Sequence, residues 1–532
     1  AGWKVAEEFP APGFSGSAAD GNAALLDALV EGVSALVLRV GDNGVPAGEL
    51  DRWLEGVYLD LAPVLLDAGA EFRAGADALV ALVAGADEAR RAQMSIDLGA
   101  DPLTAPLSGR PAAAVEDVVA VAARLAGKPG VRAITVDGPA FHDHGASAGW
   151  ELAGVIAAAT DYLRIMTDAG IAIDDALGQI CFRLVADDDQ FMTIAKFRAA
   201  RQLWARVAET LGCPEDGAAR LHALTSRAMM TQRDPWVNML RTTVAAFGAG
   251  VGGADTVQVL PFDEAIPGGF PGMTAEFARR IARNTQLLLL EESHIGRVMD
   301  PAGGSWYVED LTETLAAQTW SYFQEIESRG GFRQARDHLA ARIEETRVRR
   351  SGDIAHRRAA ITGVNEFPNL AEPPLPQSDP MTSVQRYAAD FESLRDRSDA
   401  YLSRTGERPR VLLLPLGPLA ENNIRTTFVT NLLASGGVEA VNPGTVEASG
   451  IDQAIRQSGA TVAVICGTDT RYGADAAGIV NAARTAGLDQ IYLAGPEKAV
   501  SDAPAESRPD GYLTAKIDAV EALSALLTRL GA

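Results

Sequence analysis

The chain has 532 residues, of which 47% are hydrophobic, and its 47 Lys and Arg against 70 Asp and Glu leave a net charge of −23. That length builds roughly two or three domains with ample core, and the composition excludes a disordered chain. The negative charge repels phosphate backbones and anionic bilayers, so neither nucleic acid nor a membrane is expected as a partner.

Residues 1–33 read as a separate N-terminal segment. It is irregular around Pro10 and Pro12, then helical over about 18–32 with Leu25, Leu26 and Leu29 on one side. From residue 34 to 309 short apolar runs alternate with amphipathic helices. Strands are predicted at Ala35–Val40, Glu71–Ala74, Gln93–Leu98, Arg132–Asp137, Gln179–Val185, Leu221–Thr225, Thr256–Pro261 and near Arg297–Asp300. Among the helices, Phe191–Leu211 sets Ile194, Phe197, Trp204, Val207 and Leu211 at near-helical spacing, with Lys196, Arg198 and Arg201 toward water. Eight such units have the size of a (β/α)8 TIM barrel. A doubly wound sheet is the competing layout, but no glycine-rich fingerprint follows the first strand.

Residues 310–407 read as a helical region followed by a linker. The helices, rich in Arg and Glu, run to about Arg358, and residues 367–382 (FPNLAEPPLPQSDPMT) are proline-dense and extended. A helix at about Ser383–Leu402 leads into a last domain, residues 408–532. There Val411–Leu416, Val438–Val441, Thr461–Cys466, Gln490–Leu493 and Gly511–Thr514 read as buried strands. Helices near Asn423–Ser435, Ile451–Gln457, Gly473–Ala486 and Ala519–Leu530 separate them, which makes a flavodoxin-like α/β domain.

Cys181, Cys213 and Cys466 lie far apart with no CxxC pair, which argues against zinc and against a disulfide framework. No apolar run approaches the ~20 residues that span a bilayer. Ala1-Gly2-Trp3-Lys4 carries no signal-peptide core, so a cytoplasmic protein is expected.

Two stretches are the most specific. Thr231–Asp263 reads TQRDPWVNMLRTTVAAFGAGVGGADTVQVLPFD. Asp234-Pro235 opens a helix with Leu240, Val244 and Phe247 on its buried side, and Gly248, Gly250, Gly252 and Gly253 end it before the strand Thr256–Leu260. These glycines precede a strand and so form no phosphate loop. Asp234, Asn238 and Arg241 share a helix face and can bond one another. The second stretch, Arg279–Glu309, reads RRIARNTQLLLLEESHIGRVMDPAGGSWYVE. Both blocks resemble the methylmalonyl-CoA mutase family of adenosylcobalamin-dependent isomerases. The likeness spans barrel, linker and C-terminal domain in order.

That resemblance implies a barrel taking coenzyme A esters along its axis and a C-terminal, cobalamin-binding-type domain. In the family's active chains Asp-x-His-x-x-Gly follows the first strand of that domain, and its histidine holds cobalt from below. Here Leu414-Pro415-Leu416-Gly417-Pro418-Leu419-Ala420-Glu421-Asn422-Asn423 stands in that place. Aligned on Gly417, Leu419 replaces the aspartate, Glu421 the histidine and Ile424 the glycine. None of the six histidines follows His356, and Cys466-Gly467-Thr468-Asp469 stands where the family has Ser-x-Leu. In the barrel, the family's Gly-Tyr-His aligns without gaps on Gly138-Pro139-Ala140, or with a two-residue slip on Phe141-His142. Neither supplies a phenol.

His142-Asp143-His144, with Asp137 near, could ligate a metal, but the sequence offers no third ligand group, and a polar loop at the barrel rim explains it. Glu291-Glu292 reads as a solvated helix end rather than a carboxylate pair. The chain therefore resembles the family's small, non-catalytic subunit, with no catalytic, cofactor-binding or metal-binding residues of its own. The resemblance implies a heterodimer with a large catalytic subunit that binds adenosylcobalamin (vitamin B12) and acyl-CoA, interconverting methylmalonyl-CoA and succinyl-CoA in propionate metabolism. The N-terminal segment then packs on that partner, or it caps its own domain. A competent mutase of altered substrate range, with His142 as its acid, and a free-standing regulator on an inactive mutase fold are the alternatives.

Overall fold

Eight parallel strands close into a barrel in the computed structural model, which describes residues 2–128, 130–375 and 383–532. They are β1 (Lys4–Phe9), β2 (Ala35–Arg39), β3 (Val64–Asp67), β4 (Ile96–Ala100), β5 (Val131–Asp137), β6 (Ile180–Ala186), β7 (Leu221–Thr225) and β8 (Thr256–Gln258). Each pairs with the next in sequence, and β8 closes on β1 with Lys4 opposite Thr256. Two units are distinguishable: residues 2–230, 238–347 and 383–386 form the barrel unit, and 231–237, 348–375 and 387–532 the second.

The barrel thus matches the expected architecture, with two strands in other places. β1 occupies part of the segment read as irregular. Its sequence KVAEEF hides a strand because Glu7 and Glu8 break the apolar run, and those carboxylates are satisfied only by distant guanidiniums, Glu7 by Arg279 at 2.6 Å and Glu8 by Arg39 at 3.4 Å. Glu71–Ala74 is not a strand: the alanine-rich segment opens the helix Phe72–Ala84, and the true strand is Val64–Asp67 just before it. Nor is Arg297–Asp300 one, because Ile295–Arg297 is a single turn and Val298 and Met299 are exposed. The helix Ala18–Val30 forms as expected, capped by a reciprocal Ser17–Asp20 box.

Two helical faces also differ from their sequence reading. In Gln190–Thr210, Lys196 is buried rather than solvated, because its ammonium meets Glu151 at 2.6 Å, while Leu211 is exposed. In Trp236–Val251, Asn238, Arg241 and Thr242 are buried and Leu240 is exposed. Asn238 donates to the Phe262 carbonyl at 2.8 Å and accepts from Arg241 at 2.8 Å, so this polar face has partners inside. Asp234 lies ahead of that helix at φ 46° and takes no part in its face.

The second unit holds β9 (Arg410–Pro415), β10 (Glu439–Val441), β11 (Val462–Cys466), β12 (Gln490–Leu493) and β13 (Gly511–Tyr512) in the order β10-β9-β11-β12-β13. This is the flavodoxin-like order. Alternate residues face opposite helical layers: Val411, Leu413 and Val464 pack with Leu432 and Leu523, while Leu412, Leu414 and Ile465 pack with Ile479 and Val480. Of the expected linker, residues 376–382 lie outside the described residues, and the helix after it spans Ala389–Thr405. Among the described residues no helix is long and apolar enough to cross a membrane.

Gly248 and Gly250 lie inside the helix Trp236–Val251 rather than ending it. A Cβ on Gly250 would come within 2.2 Å of the Trp3 ring, whose Nε1 is tethered to Gln286 at 3.0 Å. Alanine gains about 1 kcal/mol of helix propensity, while forcing a rigid ring aside costs about 1–3 kcal/mol. Gly250→Ala should therefore lower the stability of the barrel unit, measured by urea denaturation.

Candidate functional sites in the barrel and at the sheet switch point

Beside a small apolar cluster of Ala6, Ala35, Val37 and Leu65, the barrel lumen holds charged side chains where such barrels usually stack aliphatic layers. Asp137, at the end of β5, is opposite Arg183 on β6 by register. It accepts from Arg183 Nε at 2.6 Å and from Arg110 Nη2 at 2.6 Å. Asp67, ending β3, sits 3.5 Å from Arg110 and 3.9 Å from Arg183. Burial drives the Asp137 carboxyl up, but the two guanidiniums win and hold it below the usual carboxylate range. Deeper in, Arg132 on β5 grips Asp97 on β4, which also faces His222 on β7.

What space remains is small. A cavity of about 20 Å³ lies among Val37, Leu65, Thr135, Arg183, His222 and Gln258. Another of about 150 Å³ opens at the C-terminal ends of β1 and β8, between Glu7, Glu8, Arg39, Arg227, Glu264 and Arg279. The first holds roughly one water molecule. Sites for ligands of drug size run to about 300–1,000 Å³.

The sequence singled out His142 and His144, and the structure separates them. His142 is 4% exposed at the end of a short helix, Pro139–His142. Its Nε2 is 2.8 Å from Ser226 Oγ and 3.3 Å from Asp187 Oδ2, and its Nδ1 is 3.6 Å from Glu151 Oε2. His144 lines a different cavity, beside Ala140, Phe332 and Leu339. Phe141 is fully buried, edge-on to Phe332, so the slipped alignment places a core ring where the family has a phenol. Glu291 and Glu292 are exposed in a wide helical turn, as expected.

Ser226, His142 and Glu151 are ordered like an acyl-transfer triad, but Ser226 is wholly buried and its Oγ accepts from Met229 N at 3.2 Å. Glu151 is equally occupied, by Lys196 and by Val185 N at 2.8 Å. The cluster holds the ends of β6 and β7 and the helix Ala148–Asp168 together. Sequence reasoning missed Glu151, Asp187, Lys196 and Ser226, which are far apart in the chain. The one usable signal was Lys196 standing between Ile194 and Phe197 on an apolar face.

Burial lowers the His142 pKa, but bonds to Asp187 and Glu151 outweigh it and raise the group to about 8 from its ordinary 6.5. The imidazolium's contribution is therefore complete below pH 6.5 and disappears as pH rises through about 8. A shift of that size corresponds to about 2 kcal/mol. Wild-type protein should lose stability between roughly pH 6.5 and 8.5 in thermal melts, and His142→Asn should be less stable at about pH 6 with a flatter profile over the same window.

In the second unit the strand order reverses between β9 and β11, which is where doubly wound sheets bind ligands. That crevice is bridged. Glu421, in the first turn of the helix Leu419–Ser435, accepts from Arg471 Nε at 2.6 Å, and Arg471 lies in the first turn of Asp469–Thr485. Gly417 (φ 71°) lies against both side chains, 2.9 Å from each if it bore a Cβ. Leu419 and Ile424 point to solvent, 71% and 79% exposed. Tyr472 closes the floor, accepting from Gly467 N at 2.8 Å and donating to the Ala494 carbonyl at 2.7 Å. These residues do not fit a corrin ligated from below: the sheet carries no imidazole, and the carboxylate at that position is committed to an arginine.

The methylmalonyl-CoA mutase family model matches residues 37–405. A Mycobacterium tuberculosis protein named "Probable methylmalonyl-CoA mutase small subunit" is 66% identical over 532 residues, covering 100% of this chain and 86% of the relative. The methylmalonyl-CoA mutase small subunit of Streptomyces virginiae is 46% identical over 542 residues, covering 100% of this chain and 85% of its own. That of Propionibacterium freudenreichii subsp. shermanii is 36% identical over 525 residues, with 96% and 80% covered. With a barrel and a flavodoxin-like domain in the expected order and likeness over its whole length, this chain belongs to the methylmalonyl-CoA mutase family.

Proposed function

We propose that this chain is the non-catalytic small subunit of a heterodimeric, adenosylcobalamin-dependent methylmalonyl-CoA mutase. It stabilises a large subunit that converts methylmalonyl-CoA to succinyl-CoA in propionate metabolism, in the cytoplasm. The observation that carries this reading is the Glu421–Arg471 bridge across the switch point of a domain with no histidine. A carboxylate already paired with a guanidinium is a poor cobalt ligand, and no imidazole lies within the domain to replace it. The charge-filled lumen supports the same reading: a pantetheine chain would have to displace Asp137 from Arg110 and Arg183, leaving buried charges uncompensated. Catalytic, cofactor and metal roles in the isomerisation then fall to residues of the partner, and none to this chain. The N-terminal segment would contribute to the partner interface outside β1.

The relatives' names as small subunits favour a larger companion. Co-expressed with a large subunit carrying Asp-x-His-x-x-Gly, the chain should purify as an equimolar complex whose visible spectrum shows bound cobalamin. The isolated chain, mixed with adenosylcobalamin and passed over a sizing column, should emerge without colour. Coloured, active material from the isolated chain would establish the competent-mutase alternative instead, and failure to form any complex would favour the free-standing regulator.

A further inference from the structure

At the N-terminal end of the barrel three side chains from three strands converge: Asp97 of β4, Cys181 of β6 and His222 of β7. One ligand atom from each lies within 4.8 Å of the others, and all three residues are buried. Asp97 Oδ2 and His222 Nε2 face each other at 2.9 Å, yet neither makes a well-angled hydrogen bond to any group. With a proton on Nε2 the two form an ion pair, and without it they offer two ligand atoms to one cation.

The other atom of each candidate ligand is already held. Asp97 Oδ1 accepts from Arg132 Nε, and Arg132 is anchored in turn on Ser95 Oγ at 2.6 Å. His222 Nδ1 lies 2.8 Å from Thr256 Oγ1; with its proton on Nδ1 donated to that hydroxyl, Nε2 presents a lone pair toward Asp97. Cys181 Sγ is 3.2 Å from Thr135 Oγ1 and 3.3 Å from the Ile134 carbonyl. Outer hydrogen bonds of this kind orient metal ligands. The roughly one-water cavity of about 20 Å³ touches His222, Thr135 and Thr256, which places space beside the cluster.

We propose that Asp97, Cys181 and His222 bind a single divalent transition-metal ion, zinc by ligand preference, as a structural clamp across β4, β6 and β7. One oxygen, one sulfur and one nitrogen make a borderline-soft set suited to zinc or cobalt(II) and unsuited to magnesium or calcium, which take oxygen. Zinc–ligand bonds of about 2.0–2.3 Å at tetrahedral angles put ligand atoms about 3.3–3.8 Å apart, so the Asp97–His222 pair, now at 2.9 Å, opens slightly and the wider separations within the 4.8 Å cluster close on binding. A water in the adjoining cavity, or Thr135 Oγ1, completes four-coordination. On binding, the Cys181 S–H bond breaks, sulfur keeps the pair and bonds the metal, and the proton leaves to buffer. The thiolate and carboxylate neutralise the ion, so Arg132 on the far oxygen of Asp97 is not opposed by net positive charge at the centre.

The probe is the metal itself, on the full chain. After incubation with excess zinc and gel filtration, elemental analysis should find about one equivalent per chain. Loaded with cobalt(II) instead, the protein should show a thiolate-to-cobalt charge-transfer band. Cys181→Ser should abolish that band while Cys213→Ser, in a surface turn, retains it. Thr256→Val, which removes only the outer bond to His222, should weaken zinc binding by about 10–100-fold. Melting curves without metal check that each variant folds. Folded wild type that retains neither ion, or a cobalt band that survives Cys181→Ser, would overturn the proposal.

Discussion

Asp137 is buried with a guanidinium on either side, and much of the barrel depends on that arrangement. A lone carboxylate there would be strongly disfavoured. Together, Arg110, Arg183, Asp67 and Asp137 tie the ends of β3 and β5, the middle of β6 and the loop after β4 into one charged plug. Beside the plug the lumen keeps a cavity of about 20 Å³.

The second unit follows the same logic at its own ligand crevice. Its sheet order leaves a cleft between β9 and β11, and the cleft is closed by one ion pair rather than by bulk. Arg471 and Glu421 sit on the surface and are worth little to stability. Their effect is to span the crevice between the two strands. Arg233, from the Thr231–Asp263 signature, is another buried cation with a structural role, since it meets Asp396 at 2.6 Å and Asp399 at 2.8 Å within the second unit. In this chain the Thr231–Asp263 signature contributes buried ion pairs and close helix packing.

Much of this architecture is legible in the chain alone. The central strands β9 and β11 of the second unit announce themselves as apolar runs because both of their faces are covered by helices, whereas the edge strands β10 and β13, read as buried, are half-buried. Six of the barrel strands are readable for the same reason. β1 is not, since its two glutamates find their partners on β2 and on the helix Ala275–Leu287. Hydropathy assigns Leu240 and Lys196 to the wrong side. Their helices bury polar faces whose partners, Phe262 and Glu151, belong to other elements.

By itself the sequence determined the family, the order of the two folds and the lack of a histidine after His356, because these depend on local runs and on residue identity. Only the tertiary structure decided that His142 joins Ser226 and Glu151 while His144 turns away, and that Glu421 is held by Arg471. It also decided that Asp97, Cys181 and His222 meet. The physical reason is that barrel closure brings together inward-facing residues of strands far apart in the chain, and no spacing along that chain records which of them will share a layer.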